Sequence, residues 1–169
     1  MDVLSPVLEQ ENGIRSDAHY LHAEILRELE RRSEAVEAVN RGLENDQRTP
    51  KTLMRAAQYQ VQLGGLSDAF AYAQEALELD PMHAPALLML ADFSLWNGNC
   101  EEAAAYATTL ESIPGQEKNA SRIHATCCVL QEEWDSALER LDALIEEDAQ
   151  DSVALILRGE AKRAKGDYD

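Results

Sequence analysis

The segment APALLMLADFSLWNGNCEEAAAYATTLESIPGQE, residues 84–117, carries the clearest helical pattern in this chain. Apolar and small side chains recur in its first half at spacings of three and four residues, which places them on one stripe of a helix. Asn97-Gly98-Asn99 then interrupts the pattern, because Gly and Asn tolerate the left-handed backbone that ends helices. A second helical stripe follows, and Pro114-Gly115 closes it. The two stripes are Leu87, Leu90, Ala91 and Ser94, then Cys100, Ala103, Ala107 and Leu110. The stretch therefore predicts two helices joined by a tight turn.

This pattern recurs along the chain every 34 residues. The eighth place of each stretch holds Ala23, Ala57, Ala91, Ala125 and Gly159, and the twentieth holds Ala35, Ala69, Ala103 and Ala137. The fifteenth place holds glycine three times, at Gly64, Gly98 and Gly166. A fixed period of this length predicts a stack of two-helix units, in which each unit contacts only its neighbours. We expect units at residues 16–49, 50–83, 84–117 and 118–151, and a half unit at 152–169.

These residues resemble the tetratricopeptide repeat family. The resemblance lies in the period, in the small residues at the eighth and twentieth places, in the turn glycine, and in Leu79-Asp80-Pro81. It implies an all-α fold, an α-solenoid in which antiparallel helix pairs wind into a right-handed superhelix. The chain departs from the family pattern at Glu30 and Glu132, which replace the turn glycine, and at His19 and Ser121, where Trp or Leu is usual.

Charge and apolar content narrow the classes of partner. The formal net charge is −17, and a surface this acidic repels phosphate backbones, so we expect no nucleic-acid partner. No apolar stretch reaches 18 residues, so we expect no membrane insertion.

Cysteine usage bears on the compartment. Adjacent helical residues point about 100° apart, so Cys127 and Cys128 make a poor disulfide. With Cys100 the chain has three cysteines, an odd number. Free thiols at helical positions predict a reducing, cytoplasmic location.

Both ends of the sequence leave alternatives open. Residues 1–15 contain Ser5-Pro6, a natural helix start, and predict either a short capping helix or the remnant of a preceding unit. Gly166-Asp167-Tyr168-Asp169 resembles the turn between the two helices of a unit. This favours a longer protein cut at this point, and the alternative is a terminal helix that exposes Arg158 and Lys162 to water.

The sequence predicts no catalytic, cofactor-binding or metal-binding residues. His19 and His22 lie three apart on one helix face, as metal ligands can, but nothing completes the set, and we interpret them as structural. His124 and Cys128 also share a face, but a nucleophile would need an orienting group and an oxyanion site. We expect His124 and Cys128 to pack in the core.

The resemblance implies that the first helices of successive units line a concave groove. We predict ten groove residues in all: Lys51, Arg55, Leu88, Met89, Asp92, Leu95, Trp96, Arg122, Thr126 and Val129. Tyr20, Met54, Ile123 and Leu130 occupy inward-looking places as well. The groove is charged in the first two units and largely apolar afterwards. An exposed apolar patch of this kind typically marks an interaction site.

The leading hypothesis is a non-catalytic scaffold that binds an unidentified protein or peptide in this groove, as an extended peptide or an amphipathic helix. A first alternative is a dedicated acidic chaperone for a secreted or assembly partner. A second is the docking or regulatory arm of a larger enzyme whose catalytic domain lies beyond residue 169. We also predict that the chain could self-associate through its terminal units.

Overall fold

A computed structural model of the chain describes residues 16–166, and this range contains nine α-helices and no strand. The helices are α1 (Ser16–Glu28), α2 (Arg32–Glu44), α3 (Pro50–Leu63), α4 (Leu66–Leu79), α5 (Ala84–Trp96), α6 (Cys100–Glu111), α7 (Glu117–Leu130), α8 (Trp134–Glu147) and α9 (Ser152–Lys165). The helix or remnant expected at residues 1–15 lies outside the described residues, as does the end of the Gly166–Asp169 turn.

The chain divides into two compact units, Met1–Ala86 and Leu87–Asp169. In the first, α1 packs on α2, α2 on α3 and α3 on α4. In the second, α6, α7, α8 and α9 pack successively in the same way. Short turns between neighbours make the pairs antiparallel. The all-α, α-solenoid class predicted from the period is confirmed.

Small side chains lie where paired helices cross. The alanines at the eighth and twentieth places are at most 1% exposed: Ala23, Ala35, Ala57, Ala69, Ala91, Ala103, Ala125 and Ala137. A larger side chain at such a crossing would overpack it and destabilise the fold by about 1–3 kcal/mol. The column of small residues is therefore a packing requirement.

The turns between paired helices share one backbone motif. Gly64, Gly98 and Gly166 have φ of 74°, 71° and 83°, in the left-handed region. Glu30 and Glu132 adopt the same conformation, with φ of 59° and 61°. In this motif the N–H of the residue after the left-handed one donates to a carbonyl five residues back. Four such bonds occur, from Arg31 to Leu26, Gly65 to Gln60, Asn99 to Ser94 and Glu133 to Cys128, over 2.7–2.9 Å.

A partly buried polar network joins three helices of the first unit. Gln60 on α3 is fully buried and donates to the Asn40 side chain on α2 over 3.1 Å. Tyr72 on α4 donates to the same Asn40 oxygen over 3.0 Å. Because a buried polar group needs a partner, this shared acceptor sets the register of three helices.

Candidate functional site

Helix α5 carries four large apolar side chains that are not buried. Leu88, Met89 and Leu95 are partly exposed, and Trp96 is 66% exposed. The cause lies in the sequence of α5, which carries apolar residues on every side. A helix of that composition cannot bury all of them against its neighbours, so some remain at the surface.

Trp96 is held in place although it is exposed. Its indole meets the buried ring of Phe93 edge to face, with ring centroids 5.4 Å apart and planes at 85°. Phe93 is only 6% exposed and belongs to the core. Edge-to-face pairs of this kind contribute about 0.5–1.5 kcal/mol beyond burial. The indole therefore offers an orientated apolar surface that loses little freedom when a partner covers it.

Asp92 lies on the same helix, four residues before Trp96. Its side chain is open to solvent, yet the surrounding protein removes enough water to raise the pKa of its carboxyl. The positive charge of Arg122 on α7 opposes that rise. A carboxylate that is both accessible and poorly hydrated favours a cationic group from a partner.

Arg122 is committed to an ion-pair network within the second unit. It donates to Asp151 over 2.8 Å, and Lys118 lies 3.3 Å from the same carboxylate oxygen. The Asp151 side chain is 3% exposed, and the Arg122 hydrogen bond, followed by that of the Ala154 N–H, holds the pKa of its carboxyl far below the ordinary range. Lys118 also pairs with Asp148 over 2.7 Å. Arg122 thus ties α7 to the start of α9.

The other two α7 candidates face different surroundings. Thr126 is partly buried, and its hydroxyl donates a hydrogen bond to the Arg122 carbonyl over 2.9 Å. Val129 packs with Leu157 against the core that α7, α8 and α9 share. Leu130, the next residue, is 51% exposed. The apolar surface on α7 therefore depends on Leu130 more than on Val129.

Lys51 and Arg55 lie on α3, in the first unit. Lys51 is exposed, whereas Arg55 pairs with Asp17 over 2.6 Å. The Arg55 guanidinium also lies over the Tyr20 ring, 4.1 Å from its centroid. A partner carboxylate at Arg55 would have to compete with Asp17.

Three residues predicted to face the groove are buried instead. Tyr20, Met54 and Ile123 are 0%, 4% and 5% exposed, so the expectation that they face a groove is wrong. Tyr20 shows the physical reason, because its ring stacks on Tyr59 of α3 with centroids 5.1 Å apart. Burial raises the pKa of Tyr20 to about 12. The Tyr20 ring therefore fills the contact between α1 and α3.

The histidines occupy packed positions. His19 and His22 are 6% and 9% exposed, and His19 contacts the Asn45 amide over 3.4 Å. Burial and the nearby Arg41 charge lower the pKa of His19, which favours its neutral form. His124 lies 3.3 Å from Glu111.

Residues 16–166 contain neither a metal-ligating cluster nor a membrane-spanning helix. No group of three or more His, Cys, Asp or Glu in that range could hold a metal ion. None of its helices is long and apolar enough to cross a membrane.

Residues 61–127 match the family model described as a tetratricopeptide repeat. No curated protein matches the chain. Among solved structures, a tetratricopeptide repeat protein from Parabacteroides merdae ATCC 43184 is 18% identical, with a TM-score of 0.82 over 97% of this chain and 65% of that one. The chain thus spans just under two thirds of that protein.

Two further structures share the fold. YrrB, described as a TPR protein with an unusual peptide-binding site, is 17% identical, with a TM-score of 0.63 over 99% of this chain and 86% of its own. MamA from Desulfovibrio magneticus RS-1, residue 41 to its end, is 14% identical, with a TM-score of 0.71 over 92% and 88%. At these identities the likeness establishes the fold.

Proposed function

We propose that the chain, which shares its fold with tetratricopeptide repeat proteins and matches that family's model over residues 61–127, is a non-catalytic protein-interaction scaffold whose second unit binds a peptide or helical segment. The proposed site is the Trp96 surface, which we define as Leu88, Met89, Asp92, Leu95, Trp96 and Leu130. One observation carries the proposal: an indole that is 66% exposed and yet orientated by the buried Phe93 ring.

The composition of this surface supports a binding role. Trp96 is exposed, and Leu88, Met89 and Leu95 on the same helix are partly exposed. Exposed apolar side chains that lie together typically mark interaction sites. Tryptophan is enriched among the few residues that dominate binding energy. YrrB, which shares the fold, is described as having a peptide-binding site, and this supports the same class of partner here.

Charge defines the chemistry of the partner. Asp92 shares α5 with apolar side chains, burial raises the pKa of its carboxyl, and the chain as a whole has a formal net charge of −17. We therefore infer a segment that presents apolar side chains together with a lysine or arginine close to Asp92. The same charge argues against nucleic acid, whose phosphates would be repelled. We place this interaction in the cytoplasm, a proposal supported by the three free thiols.

Tryptophan fluorescence tests the proposal directly. The chain has two tryptophans, so Trp134→Phe leaves Trp96 as the sole reporter. A displayed library of random peptides is selected on the wild-type chain, and the enriched peptides are titrated into the reporter variant. We expect selection of apolar peptides with a basic residue, and a blue shift of Trp96 emission on binding.

Matched variants locate the site. Trp96→Ala and Leu88→Glu should each weaken binding of a selected peptide at least tenfold with unchanged helical circular dichroism. Leu79 on α4 is 53% exposed and lies outside the Trp96 surface, so Leu79→Ala should leave peptide binding unchanged. Binding that survives both Trp96→Ala and Leu88→Glu would place the site elsewhere, and the absence of any enriched peptide would contradict the proposal.

A further inference from the structure

Two of the three cysteines face each other across the contact between α6 and α7. Cys100 is the first residue of α6, Cys127 lies near the end of α7, and the two helices pack on one another. The Cys100 Sγ lies 3.9 Å from the Cys127 carbonyl oxygen, and the Cys127 Sγ lies 3.6 Å from the Cys100 carbonyl oxygen. Because each sulfur reaches the backbone of the other residue, the two side chains occupy one small space between the helices.

The two thiol groups also contact each other. Cys100 and Cys127 are 8% and 5% exposed. Burial, followed by a hydrogen bond with the Cys100 thiol, raises the pKa of Cys127 to about 12. Cys128, the next residue on α7, interacts instead with Arg140 and Glu133. Cys100 and Cys127 therefore form a pair that leaves Cys128 out.

This pair occurs at one junction of the 34-residue pattern. Cys100 occupies the seventeenth place of its stretch, and Cys127 occupies the tenth place of the next stretch. The other stretches hold different residues there: Arg32, Leu66, Trp134 and Tyr168 at the seventeenth place, and Ile25, Tyr59, Phe93 and Ala161 at the tenth. The fold therefore does not require cysteine at either place.

We propose that a peroxide oxidises Cys100 and Cys127 to an internal disulfide, which ties α6 to α7 and is opened again by a thiol reductant. A disulfide requires two sulfur atoms that can approach to about 2.05 Å from side chains that point towards each other. The reciprocal contacts between the two residues meet the second condition. Both cysteines are free thiols in this structure, which is the reduced state of the pair.

The reaction needs only a small two-electron oxidant such as hydrogen peroxide. The Cys127 thiol stays protonated near neutral pH because its pKa is raised, so Cys100 reacts first. Its sulfur attacks a peroxide oxygen, the O–O bond breaks, and a sulfenic acid and one water form. The Cys127 sulfur then attacks the sulfenic sulfur, the S–O bond breaks, and the hydroxyl leaves with the Cys127 proton as a second water. Two thiols become one disulfide, and one peroxide becomes two waters.

The position of Cys100 gives the oxidant a route. The turn at Asn97, Gly98 and Asn99 is exposed and directly precedes Cys100. A molecule as small as hydrogen peroxide therefore needs only a local opening of the first turn of α6. Because both thiols are buried in the closed state, we expect the reaction to be slow and to require excess peroxide.

The disulfide should stabilise the second unit. Cys100 and Cys127 are 27 residues apart, and a bond that closes such a loop lowers the entropy of the unfolded chain. It also joins two consecutive hairpins, α5 with α6 and α7 with α8, so these cannot separate independently. The midpoint of thermal unfolding should therefore rise by about 5–10 °C on oxidation.

Peptide mapping of an oxidised variant tests the proposal. Cys128→Ser leaves the pair as the only thiols, and Cys128 is only partly buried, so the variant should fold. The variant is treated with excess hydrogen peroxide, alkylated to block remaining thiols, and digested with trypsin without reductant. Residues 56–118 should then be joined to residues 123–140, at a mass two hydrogens below the sum of the two peptides. The undigested protein should remain a monomer on a non-reducing denaturing gel.

Cys100→Ser in the same background is the matched control. It should give neither the joined peptides nor the rise in unfolding temperature, whereas dithiothreitol should reverse both in Cys128→Ser. Alkylated thiols or separate sulfinic acids at Cys100 and Cys127 would overturn the proposal, as would a bond that forms only between two copies. The mapping of Cys128→Ser decides the matter even if the control fails to fold. Peptide binding at the Trp96 surface does not enter this test, so the two proposals succeed or fail separately.

Discussion

Arg122 and Asp151 join two helices of the second unit through a charged hydrogen bond of 2.8 Å. The other carboxylate oxygen of Asp151 accepts from the Ala154 N–H over 3.1 Å and caps α9. One side chain therefore both starts a helix and fastens it to α7.

The two roles of Asp151 can be separated by substitution. Asp151→Ala should lower the free energy of unfolding by about 2–3 kcal/mol, since it removes both a cap and a charged hydrogen bond. Asp151→Asn retains a good helix cap and should lower the free energy of unfolding by about 1–2 kcal/mol, which is the contribution of the negative charge. Urea unfolding followed by circular dichroism measures both. Equal losses in the two variants would mean that the charge contributes nothing.

The same carboxyl predicts a pH dependence. Its pKa in the folded chain lies below the ordinary value of 3.8, so its stabilisation is complete above that value. The stabilisation is lost as pH falls through the lowered pKa. The difference in unfolding free energy between wild type and Asp151→Asn should therefore be constant near neutral pH and narrow progressively in acid. A difference that persists unchanged in acid would argue against this ionisation.

The left-handed turns predict opposite effects for glycine and alanine. Glu132→Gly should stabilise the chain by about 0.5–1 kcal/mol, because a side chain is strained at its φ of 61°. Gly98→Ala should destabilise by about 1 kcal/mol, and an added Cβ there meets no neighbour, so backbone strain alone is measured. Chemical unfolding of both variants tests the pair. A destabilised Glu132→Gly would show that its side chain contributes more than the strain costs.

Thiol reactivity should distinguish the three cysteines. Cys100 and Cys127 are 8% and 5% exposed, and burial raises the pKa of Cys127 to about 12. Cys128 is only partly buried. Because the thiolate is the reactive form, a disulfide reagent should modify Cys128 first and the other two on unfolding. Peptide mapping after brief labelling identifies the site, and early modification of Cys127 would contradict the burial.

Asp92 should be less than optimal for stability. Loss of water raises the pKa of its carboxyl, so the ionised form opposes folding once the pH exceeds the raised value. Asp92→Asn should therefore stabilise the chain at neutral pH, and the gain should disappear in acid. The same variant should weaken binding of basic peptides at the Trp96 surface. A variant less stable than wild type at neutral pH would remove the electrostatic argument.

The fold could be read from the sequence because helix crossings constrain it directly. Only small side chains fit at Ala57 or Ala103, so the period is visible in a single chain. Glu30 and Glu132 depart from the family pattern in the sequence, because a glutamate does not predict a left-handed turn. Their hydrogen bonds depend on backbone groups, which residue identity does not reveal.

The candidate site was harder to foresee, because exposure depends on which neighbour each side chain meets. The position of Tyr20 within its 34-residue unit predicts a groove residue, whereas in the structure Tyr59 and Arg55 enclose its ring. Arg122 has the same spacing as a groove residue, but its partner Asp151 lies 29 positions later in the chain. The exposure of Trp96 is compatible with the expectation that it lies at a surface, and its binding role stays a prediction.

The glutamates at positions 30 and 132 also affect how many repeats can be recognised. The family match covers residues 61–127, a span that includes Gly64 and Gly98 and stops short of both acidic turns. Counting glycines would therefore undercount the hairpins that the backbone forms. In repeats of this kind, the backbone φ angle identifies a turn more reliably than the residue type does.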